Sequence, residues 1–305
     1  MATTEITGPA VATAGEPSRR RTRAILTRSV LPRIVLILGC VVFLLPFYFM
    51  VVSALKSTQE ATQAPPTFFP HSWAWGNFEA AVSFIPFGLY AFNSVAITVG
   101  ATIGAVLSNT MIAYGFARIR WPGRNVVFYI CLATIFLPYP VVLVALFDIF
   151  GRLPSFGLQG AQHWVDTFLP LIVPTFFGNP LYIFLMRQFM LGIPRDLSDA
   201  ARVDGASELQ TFWHVMLPLT KPAVVVVAIL AAVASWNEFL LPLLYLQSQD
   251  KYPLAVGLAF FTQEHDVAYN LLMAASTLIV LPIIIMFVLF QRFFIEGITV
   301  GGVKG

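Results

Sequence analysis

Acidic, small and apolar residues alternate through residues 193–218, where Asp196, Asp199, Arg202, Asp204 and Gly205 fall among Leu197, Ala200, Ala201, Ala206, Leu209, Phe212, Trp213 and Met216. The apolar positions recur near helical spacing while Ser198, Asp199, Arg202 and Gln210 fall largely elsewhere, which describes short amphipathic helices lying at a membrane face. Asp196 is placed as an N-cap, and Asp199 puts a carboxylate where the helix dipole favours one. Gly205 inside such a helix costs about 1 kcal/mol relative to Ala, so a bend or a close backbone contact is the expected compensation. The chemistry on offer is non-covalent. Either another chain docks on this surface, or a helix lies on the membrane anchored by Trp213.

A second group of polar residues falls where polarity is expensive. Trp236, Asn237 and Glu238 interrupt an apolar run, and an ionisable residue within a span costs about 2.5–3.5 kcal/mol on insertion scales, so it faces a cavity or a partner. The three could line a substrate path, offering hydrogen bonds and an aromatic face. Glu238 could equally be a hydrogen-bond anchor between helices. No spacing points to a reaction: there is no phosphate-binding G-x-x-x-x-G-K-[ST] loop, no H-E-x-x-H and no G-x-S-x-G. The histidines are scattered, and Glu264-His265-Asp266 is a run of adjacent residues whose side chains diverge. Cys40 and Cys131 lie in apolar runs without C-x-x-C or Cys/His spacing. No catalytic residue, disulfide, metal site or cofactor is expected in this chain.

The elements that carry these residues follow from composition. Of the 305 residues 58% are apolar and 11% charged, against about a quarter charged in a soluble domain, so the lipid bilayer is the main solvent. The net charge of +3 is not gathered on a folded face, which argues against nucleic acid. Apolar runs at 34–55, 91–117, 126–150, 168–186, 222–246 and 271–291 predict an all-α membrane protein with about six spanning helices. Pro170, Pro174 and Pro180 should kink the fourth span and leave carbonyls for neighbouring helices to satisfy. Gly100-x-x-x-Gly104 reads as close helix packing inside the subunit. Fifteen of the 18 Lys and Arg residues fall on one side of the six spans, which makes the N-terminus, the 193–218 loop and the C-terminus cytoplasmic. The expected organisation is a disordered cytoplasmic tail at 1–28, a six-helix transmembrane domain at 29–296 and a cytoplasmic C-terminal tail at 297–305.

Several stretches in order along the chain have a familiar look. Asp199-Ala200-Ala201, Gly205 and Leu217-Pro218 resemble the Glu-Ala-Ala…Gly…Leu-Pro cytoplasmic motif of ABC importer permeases. Ala113-Tyr114-Gly115-Phe116-Ala117-Arg118, Arg187-Gln188-Phe189, Ser235-Trp236-Asn237-Glu238-Phe239 and Gln291-Arg292-Phe293-Phe294 resemble the carbohydrate-uptake branch, the maltose-permease type. The resemblance covers about residue 32 to the end. It implies a type I ABC importer permease core in the cell membrane, paired with a second homologous permease. It also implies two ATPase subunits that hold ATP and Mg, and an extracytoplasmic sugar-binding protein. Asp199, Ala200, Ala201, Asp204, Gly205 and Ala206 are then the residues that couple to the ATPase, with Asp199 standing where Glu is usual. An ion-coupled secondary carrier of a small polar solute is the alternative. It calls for several carboxylates inside the spans, where this chain has Glu238 alone.

Overall fold

The computed structural model describes residues 31–262 and 268–302. The expected tail at 1–28, the Glu264-His265-Asp266 run and the last three residues of the expected C-terminal tail lie outside them. The chain divides into a leading unit ending at Met50 and a second unit, Val51–Gly305. Every feature of the site described below belongs to the second.

The principal helices are α1 (Leu31–Ala54), α2 (Gly76–Phe84), α3 (Phe87–Ala117), α4 (Arg124–Ala133), α5 (Tyr139–Arg152), α6 (Pro180–Gly192), α7 (Asp196–Val203), α8 (Lys221–Trp236), α9 (Leu240–Tyr245) and α10 (Tyr269–Gly302). No strand occurs among the described residues. Leu31–Ala54, Phe87–Ala117, Leu169–Gly192 and Tyr269–Phe293 are long and apolar enough to cross a membrane, and two bent pairs bring the number to six when each counts as one span. The protein is thus an all-helical, multi-pass membrane protein. α10 runs on through the first residues of the expected C-terminal tail.

Two expected continuous spans are broken, and proline explains both. The run 126–150 divides into α4 with its trailing turn and α5, bent by 100°. Pro138 lacks an N–H and drives the preceding Leu137 into extended backbone (φ −74°, ψ 117°). The run 222–246 ends its first helix at Trp236 and resumes as α9. Pro242 cannot donate to the carbonyl of Glu238, and its ring crowds that carbonyl, so the chain opens at 237–239.

α3 is the axis of the second unit and packs on α6, α8 and the 169–177 segment. Near its start Tyr90 joins Ile85, Phe261, Ala274 and Ile279 in one buried cluster. Near its end Ala113, Tyr114 and Ala117 join Met186, Met190, Phe212 and Met216 in another. In lipid such clusters gain from close packing more than from leaving water. Small residues set the approach: a Cβ on Gly100 would lie 2.9 Å from Ile172 Cδ1, and one on Gly104 would overlap Thr175 and Phe176. The Gly100-x-x-x-Gly104 stripe therefore seats the 169–177 segment inside this subunit.

That segment is interrupted as its prolines predict. Leu169–Ile172 passes into a tighter turn at Val173–Phe177, breaks at Gly178 and restarts as α6. The released backbone groups find partners on α3. Ser108 Oγ donates to the Thr175 carbonyl at 3.0 Å, and the fully buried Asn109 accepts the Asn179 N–H at 2.7 Å. Asn179 in turn accepts the N–H groups of Leu181 and Tyr182, capping α6.

Candidate coupling surface and central cavity

α7 begins one residue earlier than the sequence suggests. Arg195 holds the N-cap position without a side-chain bond, so Asp196 is the first helical residue and not the cap. Asp196 and Asp199 still place negative charge in the first turn. The helix ends at Gly205, whose φ of +82° lies in the left-handed region. Gly205 N–H bonds the Arg202 carbonyl at 3.0 Å and Ala206 N–H bonds the Ala201 carbonyl at 2.9 Å, which is a Schellman cap. Gly205 is therefore a stop residue outside the helix and not an interior bend. A Cβ there would meet nothing within 4 Å, so conformation alone calls for glycine. The next turn, Glu208–Thr211, is opened by a capping box in which Ser207 Oγ accepts the Gln210 N–H and Gln210 Oε1 accepts the Ser207 N–H.

The loop buries only part of the expected apolar stripe, and buries Ser198 and Thr211 with it. Ser198, Thr211, Phe212 and Met216 point inward, while Leu197, Val203, Leu209 and Trp213 stay exposed, Val203 at 87%. Asp199 and Ala200 are exposed, and Ala201 and Ala206 are half-buried. Asp199 is paired within the chain: its Oδ1 lies 2.9 Å from Arg202 Nη1. Arg202 also reaches Glu208 Oε1 at 2.8 Å through Nη2 and 2.9 Å through Nε. Tyr114 on α3 donates its hydroxyl to Glu208 Oε2 at 2.8 Å.

Arg118, just past α3, is buried and donates through Nη2 to the carbonyls of Met190 at 2.5 Å and Ile193 at 2.6 Å. Burial first, and then repulsion from Arg195, lowers its pKa. Backbone carbonyls thus hold this guanidinium at the entrance to the loop, and among the described residues no carboxylate pairs with it. Neither the Tyr114 nor the Arg118 contact was legible from spacing, because each joins positions more than seventy residues apart.

A cavity of about 370 Å³ lies between α3, the broken 169–182 segment and α8–α9, at the lower end of the range for small-molecule pockets. Ile97, Ala101 and Ala105 supply one wall, and Thr175, Asn179, Tyr182, Ser235 and Glu238 supply polar atoms. Glu238 is half-buried there, and its Oε1 accepts the N–H groups of Leu240 at 3.1 Å and Leu241 at 3.2 Å, capping α9. The three residues read as a possible path part company. Trp236 turns away, donates its indole N–H to the Ile279 carbonyl at 3.1 Å and lines a separate apolar crevice with Pro282. Asn237 is exposed and returns its amide to the Val233 carbonyl at 2.8 Å. Only Glu238 lines the cavity.

On the opposite side of the broken span from the 193–218 loop, Asp166 ties two connecting segments together. It accepts Lys251 Nζ at 2.7 Å, Ser248 Oγ at 2.6 Å, and the N–H groups of Gln247 at 2.9 Å and Ser248 at 2.8 Å. Partial burial opposes its charge, but these bonds outweigh it and lower the pKa to about 2.

A bundle of interrupted spans, a hollow with one carboxylate in its lining, and an internally capped loop exposing apolar side chains together define a membrane transport permease. The chain belongs to the family described as binding-protein-dependent transport system inner membrane component, whose profile matches residues 100–300. It is 38% identical over 214 residues to the arabinooligosaccharides transport system permease protein of Bacillus subtilis strain 168, covering 70% of this chain and 73% of that one. It is 34% identical over 261 residues to the diacetylchitobiose uptake system permease protein of Streptomyces coelicolor, covering 84% and 83%. In fold it is similar to a chain from the crystal structure of a bacterial ABC transporter involved in alginate import, with a TM-score of 0.74 and 22% identity, over 89% of this chain and 98% of that one. The carbohydrate-uptake ABC permease resemblance read from the sequence agrees with these relatives.

Proposed function

We propose that this chain pairs with a second homologous permease, seats ATPase subunits on its 193–218 loop, and passes a carbohydrate delivered by an extracytoplasmic binding protein. The observation that carries the reading is the loop. Its backbone is capped from within at the end of α7 and at the start of the 208–211 turn, yet Leu197, Val203, Leu209 and Trp213 are left exposed. Apolar side chains on a rigid, self-satisfied scaffold suit a protein partner. ATP and Mg belong to the ATPase subunits, which close, move the loop and turn the cavity outward. The excess of Lys and Arg puts the loop and both termini in the cytoplasm. The sugar-like substrate class follows from the relatives named above and suits a cavity whose polar atoms are hydroxyls, amides and one carboxylate. The test is to express the chain with its genomic neighbours in vesicles and screen oligosaccharides for binding-protein-dependent ATP hydrolysis. Stimulation by at least one oligosaccharide is expected. Stimulation only by amino acids or ions would overturn the carbohydrate reading.

A further inference from the structure

We propose that the Tyr114 hydroxyl and the Glu208 carboxylate form the contact that carries movement of the 193–218 loop into the cavity wall, with Tyr114 as a positioning residue for transport. The inference rests on the reading that an ATPase docks on this loop.

α3 is one uninterrupted helix. Its residues Ile97, Ala101 and Ala105 face the cavity, and Tyr114 lies nine residues beyond Ala105, about 14 Å along the axis at ~1.5 Å per residue. Displacing the Tyr114 end therefore displaces the wall. The grip at that end is concentrated on one carboxylate. Glu208 Oε2 accepts from Tyr114, while Oε1 accepts from Arg202, which also holds Asp199 on α7. Both halves of the loop, α7 and Glu208–Thr211, thus meet at the side chain that holds α3.

Besides a longer approach of the same hydroxyl to the Glu208 carbonyl at 3.3 Å and the Arg118 bond to the Ile193 carbonyl where the loop begins, the contact between the loop and α3 is packing, with the Tyr114 ring 5.2 Å from that of Phe212. Packing of this kind can slide, whereas a hydrogen bond to a carboxylate is directional. Asp199 is consequently engaged in holding the loop together, and its charge is not the free docking group that position alone suggests.

The experiment uses the assembled complex in vesicles and reads sugar moved per ATP hydrolysed. Tyr114→Phe keeps the ring and removes the donor; Glu208→Gln removes the charge. Tyr114→Phe should assemble in wild-type amounts and still hydrolyse ATP, with the transport ratio falling roughly tenfold, as loss of a bond to a charged acceptor allows. Glu208→Gln should fall similarly, and the double variant should be no worse than the lower single variant. An unchanged ratio in Tyr114→Phe would overturn the proposal. So would a lower yield of complex at an unchanged ratio, which would make the hydroxyl merely structural. If the wild-type chain recovers no ATPase at all, the docking reading fails first and takes this proposal with it.

Discussion

Asp166 and Lys251, 85 positions apart, meet at 2.7 Å with both side chains largely shielded from solvent. The aspartate also takes three hydrogen bonds from Gln247 and Ser248, which makes it the clasp between the 153–168 and 246–253 segments. Its pKa falls from 3.8 to about 2, so its contribution is fully present above pH 4 and is lost as pH drops through the folded value. The shift corresponds to stability on the order of 2 kcal/mol. Asp166→Asn should lower the midpoint of thermal unfolding in detergent at pH 7, and the gap to wild type should close between pH ~4 and ~2. A gap independent of pH would show that the charge does not matter.

Gly205 gives a prediction that separates backbone strain from crowding. Its positive φ costs a residue with a Cβ roughly 1–2 kcal/mol, but space around it is open. Asn tolerates the left-handed region and β-branched Val does not. Gly205→Asn should keep most sugar uptake, while Gly205→Val should reach the membrane in near-normal amounts and lose it. Equal loss in both would mean that a partner's backbone approaches this glycine closely.

For Glu238, the acceptor role towards Leu240 and Leu241 survives in an amide. Glu238→Gln should preserve assembly and much of the uptake. Glu238→Leu leaves the N–H groups of Leu240 and Leu241 without this acceptor, at about 1–3 kcal/mol, and should impair assembly, uptake or both. Vesicle uptake normalised to permease content reads the difference, and equal wild-type uptake by both variants would show the residue is only tolerated.

Topology is open to labelling. In a chain with Cys40 and Cys131 replaced by Ala, a single cysteine at the exposed Gln63 or Gln249 should react with an impermeant thiol reagent added outside intact cells. One at Arg120 should not. Labelling at Arg120 from outside would reverse the orientation drawn from the basic residues.

Much of this was legible because lipid leaves few choices. Apolar runs gave the spans, and Pro170, Pro174 and Pro180 gave the interruption of the fourth one. The breaks at Pro138 and Pro242 were missed because composition was read as continuity, although a proline within an apolar run already carries the signal. The loop's inner face is legible only in part: Phe212 and Met216 of the apolar stripe turn inward, but the rest does not follow the stripe. Ser198, read as facing away, is buried and meets the Met216 sulfur at 3.5 Å, whereas Leu197 and Leu209 lie outside. Helical spacing reveals that a stripe exists, but which side turns inward depends on the neighbouring helices. Pairs such as Tyr114 with Glu208 and Asp166 with Lys251 leave no periodic trace, and folding alone brings them together.

The central claim is that residues 193–218 dock an ATPase, and Val203, exposed at the end of α7, tests it most directly. A photo-crosslinking amino acid placed at Val203 in the transporting complex should join this chain to the ATPase subunit, and the product should disappear when the ATPase is omitted. If the same complex imports sugar while Val203 crosslinks only to lipid or to nothing, the loop is not the docking element.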